Sequence, residues 1–195
     1  FFAGSVLFTD ETVESDHLAY LQESKAVLDG TQSGEQDHRG LRYGFLVPTA
    51  VAFRLFEFGY VPSVLFPHLC GILLLWTAYR YGRETDGTAT GLLASLFVCV
   101  TPVFIHWSTT CMPDIPMTLC LSYALLIYLR AARNPPQSTF LYARCGLVLF
   151  LGYLVKSTLL EAPLILFLEF LYRRHRQKRW DLRKLIPFGV LLCGI

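Results

Sequence analysis

The sequence predicts an all-α fold: a polytopic bundle of transmembrane helices, with interfacial helices in its first outer loop. Three observations lead there. Of the 195 residues, 53% are hydrophobic and only 16% charged, whereas a soluble domain averages about 25% charged. Mean hydropathy is +0.43, on the membrane side of the scale. The apolar residues also come in runs near bilayer length, separated by connectors rich in Gly, Pro and charge such as "RETDG", "RNPPQS" and "RRHRQKRWD". A net charge of +2 gives no footprint for nucleic acid, and there is no internal repeat.

Taken in order, Phe1 to Phe8 reads as the end of a first span, residues 9–60 as an outer loop and residues 61–195 as further spans, all within one transmembrane domain. The chain opens without a methionine and closes inside the apolar "LIPFGVLLCGI". The expectation is therefore an internal fragment of a longer membrane protein. The expected spans are Val61–Tyr81, Thr88–His106, Ile115–Leu129, Phe140–Val155 and Thr158–Tyr172, with another starting near Leu185. The shorter ones are tolerated by tilt and local thinning.

The segment Leu41–Phe58 is apolar enough to span but carries Arg42, Pro48, Arg54 and Glu57, and charge at mid-bilayer is costly. Orientation decides between the two placements. If Leu41–Phe58 lies in the interface, 12 of the 17 basic residues fall on one side, from Arg80 through Arg144 to the run Arg173–Lys184. That is the positive-inside pattern, and a spanning Leu41–Phe58 would invert it. Leu41–Phe58 is therefore expected to be an interfacial helix. Glu14–Leu28 is expected to be a second one, with Leu18, Leu21 and Leu28 on one face.

In this topology three polar features share the outer face. Asp10, Glu11, Glu14 and Asp16 follow directly on the first apolar run. An isolated acidic loop is usually just solvated, but a carboxylate there can act as general base or help hold a divalent cation. Asp114 lies in "CMPDIP" between two stiffening prolines, as an N-cap for the helix from Ile115, a catalytic group, or both. Lys156, in "GYLVKST", either snorkels to headgroups or offers a cation to a lipid phosphate. Arg39 and Arg42, beside His38, have the same two readings. Five of the six cysteines lie in apolar runs and only Cys111 in a loop, so neither a disulfide framework nor a Cys/His metal site is expected.

The order of these motifs resembles the amino-terminal half of a GT-C superfamily membrane glycosyltransferase, similar to protein O-mannosyltransferases and the lipid A aminoarabinose transferase. "TDETVESDHLAYLQESKAVLDG" stands where that family has its acidic first-loop motif. "HRGLRYGFLVPTAVAFRLFEFG" follows with its Arg, Pro and Phe-Gly. The span "AYRYGRETDGTATGLLASLFVCVTP" comes next. "STTCMPDIPMTLCLSYALLIYLRAAR" is close to the family's Pro-Asp-x-Pro loop, and "CGLVLFLGYLVKSTLLEAPLILF" matches its Gly-to-Lys stretch. Each motif is weak alone; five in order are specific.

The resemblance implies transfer of a sugar from a polyprenyl-phosphate-linked donor to an extracytoplasmic protein, lipid or glycan acceptor, with inversion at the anomeric carbon. A first-loop carboxylate would serve as base. Asp10, Glu11, Asp16 and Asp114 are the expected catalytic residues, and Lys156, Arg42, Arg39 and His38 the expected ligands of the lipid phosphate. As to cofactors, the carboxylates leave room for a divalent cation without demanding one. The expected location is a bacterial inner (plasma) membrane, in contact with its lipids, with the site on the outer face.

Two positions depart from the family pattern. The Asp-Glu dipeptide is Asp10–Glu11, but the spacing to Tyr and Gly better suits Asp16, Tyr20 and Gly30, which puts His17 where the second acid belongs. The base is Asp10 or Asp16, with a slight preference for the intact dipeptide. Where many relatives carry an Arg after Phe-Gly, this chain has His68 nearby. The alternatives from other classes are a transporter or lipid flippase, with Glu161 and Glu169 as its ionisable groups, and a scaffold without chemistry.

Overall fold

The computed structural model describes residues 11–31, 42–133, 138–162, 164–166, 168–169 and 172. Seven α-helices are described: α1 (Glu11–Asp29), α2 (Tyr43–Phe56), α3 (Tyr60–Asp86), α4 (Thr88–Val100), α5 (Pro102–Ser108), α6 (Asp114–Arg133) and α7 (Ser138–Val155). A 3₁₀ turn at Ser157–Leu160 follows α7. No strand is present among the described residues.

By length and composition, α3 and α6 can each cross a membrane, and the bent pair α4 and α5 can together supply a third span. The expected continuous span Thr88–His106 is corrected: α4 and α5 meet at an angle of 67°. The cause is Pro102. A residue before proline is pushed out of the helical region, and Thr101 is extended at φ −70°, ψ 120°. Pro102 then opens α5 at a first-turn position, where its missing N–H costs nothing. The segments Phe140–Val155 and Ser157–Leu166 are apolar but shorter than a full span. The expected span from Leu185 lies outside the described residues.

α2 falls inside the expected Leu41–Phe58 segment and has 14 residues. At 1.5 Å per residue it is roughly 21 Å long, against an apolar core of about 30 Å. α1 covers the expected Glu14–Leu28 helix, but its buried face is different. Tyr20 and Ser24, one turn apart, are buried and Leu18 is exposed. The aromatic ring wins this face because Phe45 of α2 meets Tyr20 edge-on at 5.4 Å.

Two contacts fix the direction of the bundle. At one end, the Tyr60 hydroxyl at the start of α3 donates to the Thr109 carbonyl, just before α6, at 2.7 Å. At the other, Glu84 near the end of α3 receives Arg130 of α6. Arg80 adds a contact at 3.3 Å, and Arg133 donates to the Glu84 carbonyl at 2.6 Å. So α3 and α6 run parallel. The chain returns between them through α4 and α5, and again from α6 through α7. Gly87 makes the first reversal at φ +95°, closing α3 with its N–H on the Arg83 carbonyl, a left-handed cap that glycine adopts without penalty.

The outward faces of α3 and α4 are apolar: Ile72, Leu73, Leu92, Leu96 and Phe97 are all more than half exposed. Such a surface suits lipid, where polar atoms would go unsatisfied. Inside, Ala124, Ile127 and Tyr128 of α6 pack on Tyr142, Cys145 and Leu149 of α7. A second cluster joins Tyr20, Phe45, Leu46, Cys111, Met112 and Val155. It draws on α1, α2, the loop before α6 and the end of α7, and it forms the floor of the polar end.

Candidate active site

Four charged side chains gather at that end: Asp114 pairs with Lys156, and Arg42 lies within electrostatic reach of Asp114 and Asp16. Asp114 begins α6, where the helix dipole favours an acid. Lys156 follows α7, at the point where the helix gives way to the 3₁₀ turn. Its Nζ donates to Asp114 Oδ1 at 2.6 Å, with the two side chains 23% and 29% exposed. The expected alternative for Asp114, an N-cap of the helix from Ile115, is revised: the carboxylate lies in the first helical turn and takes up the lysine.

Arg42 lies just before α2, with its carbonyl accepting the first helical N–H groups of Phe45 and Leu46. Its guanidinium stacks 5.4 Å from the centre of the Tyr20 ring, a cation–π contact. Burial lowers the Arg42 pKa, and the charges of Asp114 and then Asp16 oppose that shift. The guanidinium stays protonated at any working pH. Arg42 is thus within electrostatic reach of both carboxylates.

One close approach holds the cation sources together. A Cβ on Gly44 would lie 2.8 Å from the backbone carbon of Leu154. Only glycine lets α2 come this close to the end of α7, and this contact packs the start of α2, just after Arg42, against the end of α7, just before Lys156. Replacing Gly44 by Val should force the two helices apart and weaken the fold by about 1–3 kcal/mol. Thermal unfolding of the detergent-solubilised protein should show the loss; an unchanged melting temperature would refute this packing.

Two further contacts anchor the loop that delivers Asp114. His17 Nδ1 accepts the Cys111 N–H at 2.9 Å, and the Tyr60 hydroxyl holds Thr109. Burial lowers the His17 pKa and pushes the Cys111 thiol up to about 12, so at neutral pH the imidazole and the thiol are both uncharged. Beside Asp114, an apolar cavity of about 480 Å³ runs between α3, α4, α5 and α6, lined by Leu74, Tyr81, Val98, Phe104, Trp107 and Ile115.

Of the residues expected from sequence, Asp16, Arg42, Asp114 and Lys156 are thus brought to one end of the bundle. Glu11 opens α1. Asp10, His38 and Arg39 lie outside the described residues. Among the described residues, no group of three metal-ligating side chains is arranged to hold an ion. Sequence reasoning gave no role to Tyr20 and Tyr60. The spacing Asp16, His17, Tyr20, which places all three within one turn of helix, was the available signal for Tyr20.

A helical bundle with two or three elements long and apolar enough to cross a membrane defines an integral membrane protein, with a set of paired charges at one end beside an apolar cavity. The chain belongs to the dolichyl-phosphate-mannose-protein mannosyltransferase family, whose model matches residues 46–195. It is therefore a mannosyltransferase-like glycosyltransferase that uses a lipid-linked sugar donor. No curated protein and no solved structure gives a match. Asp114 and Lys156 fall inside the matched region, while Asp16, His17 and Arg42 precede it.

Proposed function

We propose that this end of the bundle transfers a sugar from a polyprenyl phosphate to an acceptor outside the cytoplasm, at the outer face of a bacterial inner (plasma) membrane. The observation that carries the reading is the Asp114–Lys156 ion pair, set beside an Arg42 that feels both Asp114 and Asp16. Two cations against two carboxylates leave the cluster neutral, so an incoming phosphate meets no net repulsion. Lys156 and Arg42 stabilise the charge that builds on the leaving phosphate. Asp114 holds Lys156 in place. Asp16 is the base: its carboxylate shares Arg42 with Asp114. It takes the proton of an acceptor hydroxyl as that oxygen attacks the anomeric carbon. The bond from that carbon to the phosphate oxygen breaks, and its electron pair leaves with the lipid phosphate. Attack opposite the leaving group inverts the centre.

Topology is the first test. Single cysteines at Ser15, Thr110 and Gly87, in a background without the native cysteines, are exposed to an impermeant thiol reagent on intact cells. Labelling at 15 and 110 but not at 87 is expected. Labelling at only one of 15 and 110 would mean that the segment around α2 crosses the bilayer, and the shared outer site would be lost.

A further inference from the structure

We infer that His17 is a positioning residue, whose neutral imidazole holds the Cys111 amide and thereby sets the Asp114–Lys156 pair against Asp16 and Arg42. The inference rests on the transferase reading for its effect on turnover, but the anchoring itself stands on geometry.

The loop between α5 and α6 has few backbone donors to spare. The Met112 N–H turns back onto the Thr110 carbonyl at 2.9 Å, and Pro113 has no N–H. The Cys111 N–H donates to a side chain 94 residues away, His17 Nδ1, at 2.9 Å. Cys111 is fully buried and Met112 nearly so, so without His17 that amide would lie unsatisfied in an apolar pocket. Two residues beyond Met112 stands Asp114. Its helix is locked locally: the Met117 N–H donates to the Pro113 carbonyl, and the Thr118 hydroxyl to that of Asp114. A shift at Cys111 is therefore passed to Asp114 as a rigid step.

The ring has to be in one form to do this. An Nδ1 that accepts must carry a lone pair, so the proton sits on Nε2 and the imidazole is neutral. The surroundings suit that state. Tyr60 of α3 lies 6.0 Å away, centre to centre, and its hydroxyl fixes Thr109 in the same loop. On α1 the nearest acid in the chain is the neighbouring Asp16. A glutamate at position 17, the acid that the family spacing leads one to expect, could accept the same N–H but would bring a third carboxylate to the end that already holds Asp16 and Asp114. The histidine supplies the acceptor without the charge.

The test uses the full-length protein in native membranes, retaining Cys111 as the sole native cysteine. His17→Leu keeps bulk but removes the acceptor. His17→Asn returns an acceptor oxygen near the Nδ1 position. His17→Gln carries one too far along the side chain. Alkylation of Cys111 by N-ethylmaleimide should accelerate about tenfold in the Leu and Gln variants, and stay within about twofold of the parent in the Asn variant. With dolichyl-phosphate-mannose as donor, kcat should fall about tenfold in Leu and Gln and recover in Asn, while the donor KM moves less than about threefold. If the Leu variant is lost from the membrane, the Asn and Gln pair decides. Equal Cys111 protection in all variants, or equal kcat for Asn and Gln, overturns the inference. If the parent itself transfers no mannose, dolichyl-phosphate-mannose is not its donor, and the alkylation order alone still upholds or overturns the anchoring.

Discussion

Asp114→Asn is expected to lower sugar transfer by about 10²–10³-fold while the protein remains in the membrane. The carboxylate is the 2.6 Å partner of Lys156, and the amide that replaces it is neutral. Lys156 then has no fixed counter-charge, and its flexible four-carbon stem returns to the headgroups. The leaving phosphate loses a placed cation, and loss of one such electrostatic contact typically costs that factor in kcat. Lys156→Met should match it. Because the two residues act as a unit, the double variant should be little worse than either single one. Swapping the charges, with Lys at 114 and Asp at 156, would keep an ion pair for the fold yet leave transfer lost. Recovery of transfer in the swapped protein would show that the pair is only structural.

The second large effect is expected at Arg42. Arg42→Gln removes the cation that answers both Asp16 and Asp114. The two carboxylates would then repel each other and the incoming phosphate. The donor KM should rise by about 10–10²-fold, with a smaller change in kcat. Arg42→Lys keeps the charge but gives up the planar stacking on Tyr20, and should recover only part of the loss. Steady-state kinetics on membranes with dolichyl-phosphate-mannose as donor separates these outcomes. A KM that stays unchanged in Arg42→Gln would remove Arg42 from the phosphate site.

How much of this was legible differs from residue to residue. Asp114 and Lys156 stood out because each is an isolated charge at the edge of an apolar run, where burial without a partner would be costly. Their pairing was not legible, since 42 residues and a whole helical hairpin separate them. Pro102 was in plain view, yet the length and hydropathy of Thr88–His106 outweighed it, and the span was read as unbroken. On α1 the leucines suggested an apolar face, but periodicity alone cannot say which face finds a partner. Tyr20 won because Phe45 and Arg42 both meet its ring. The role of His17 was hidden for another reason. Its partner is a backbone N–H, and backbone donors leave no trace in a sequence except where a proline nearby removes the alternatives.

The sequence by itself determined the helical membrane class, the family, and the identity of the charged residues available to the chemistry. Hydropathy and motif order are properties of the chain alone, and they survive without any knowledge of packing. Only the tertiary structure decided which charges meet. The parallel course of α3 and α6, the bend between α4 and α5, and the glycine contact between α2 and α7 place Asp16, Arg42, Asp114 and Lys156 at one end. Electrostatic energy falls with distance and with solvent exposure, so the same four charges acquire a joint function only where packing brings them together and partly excludes water.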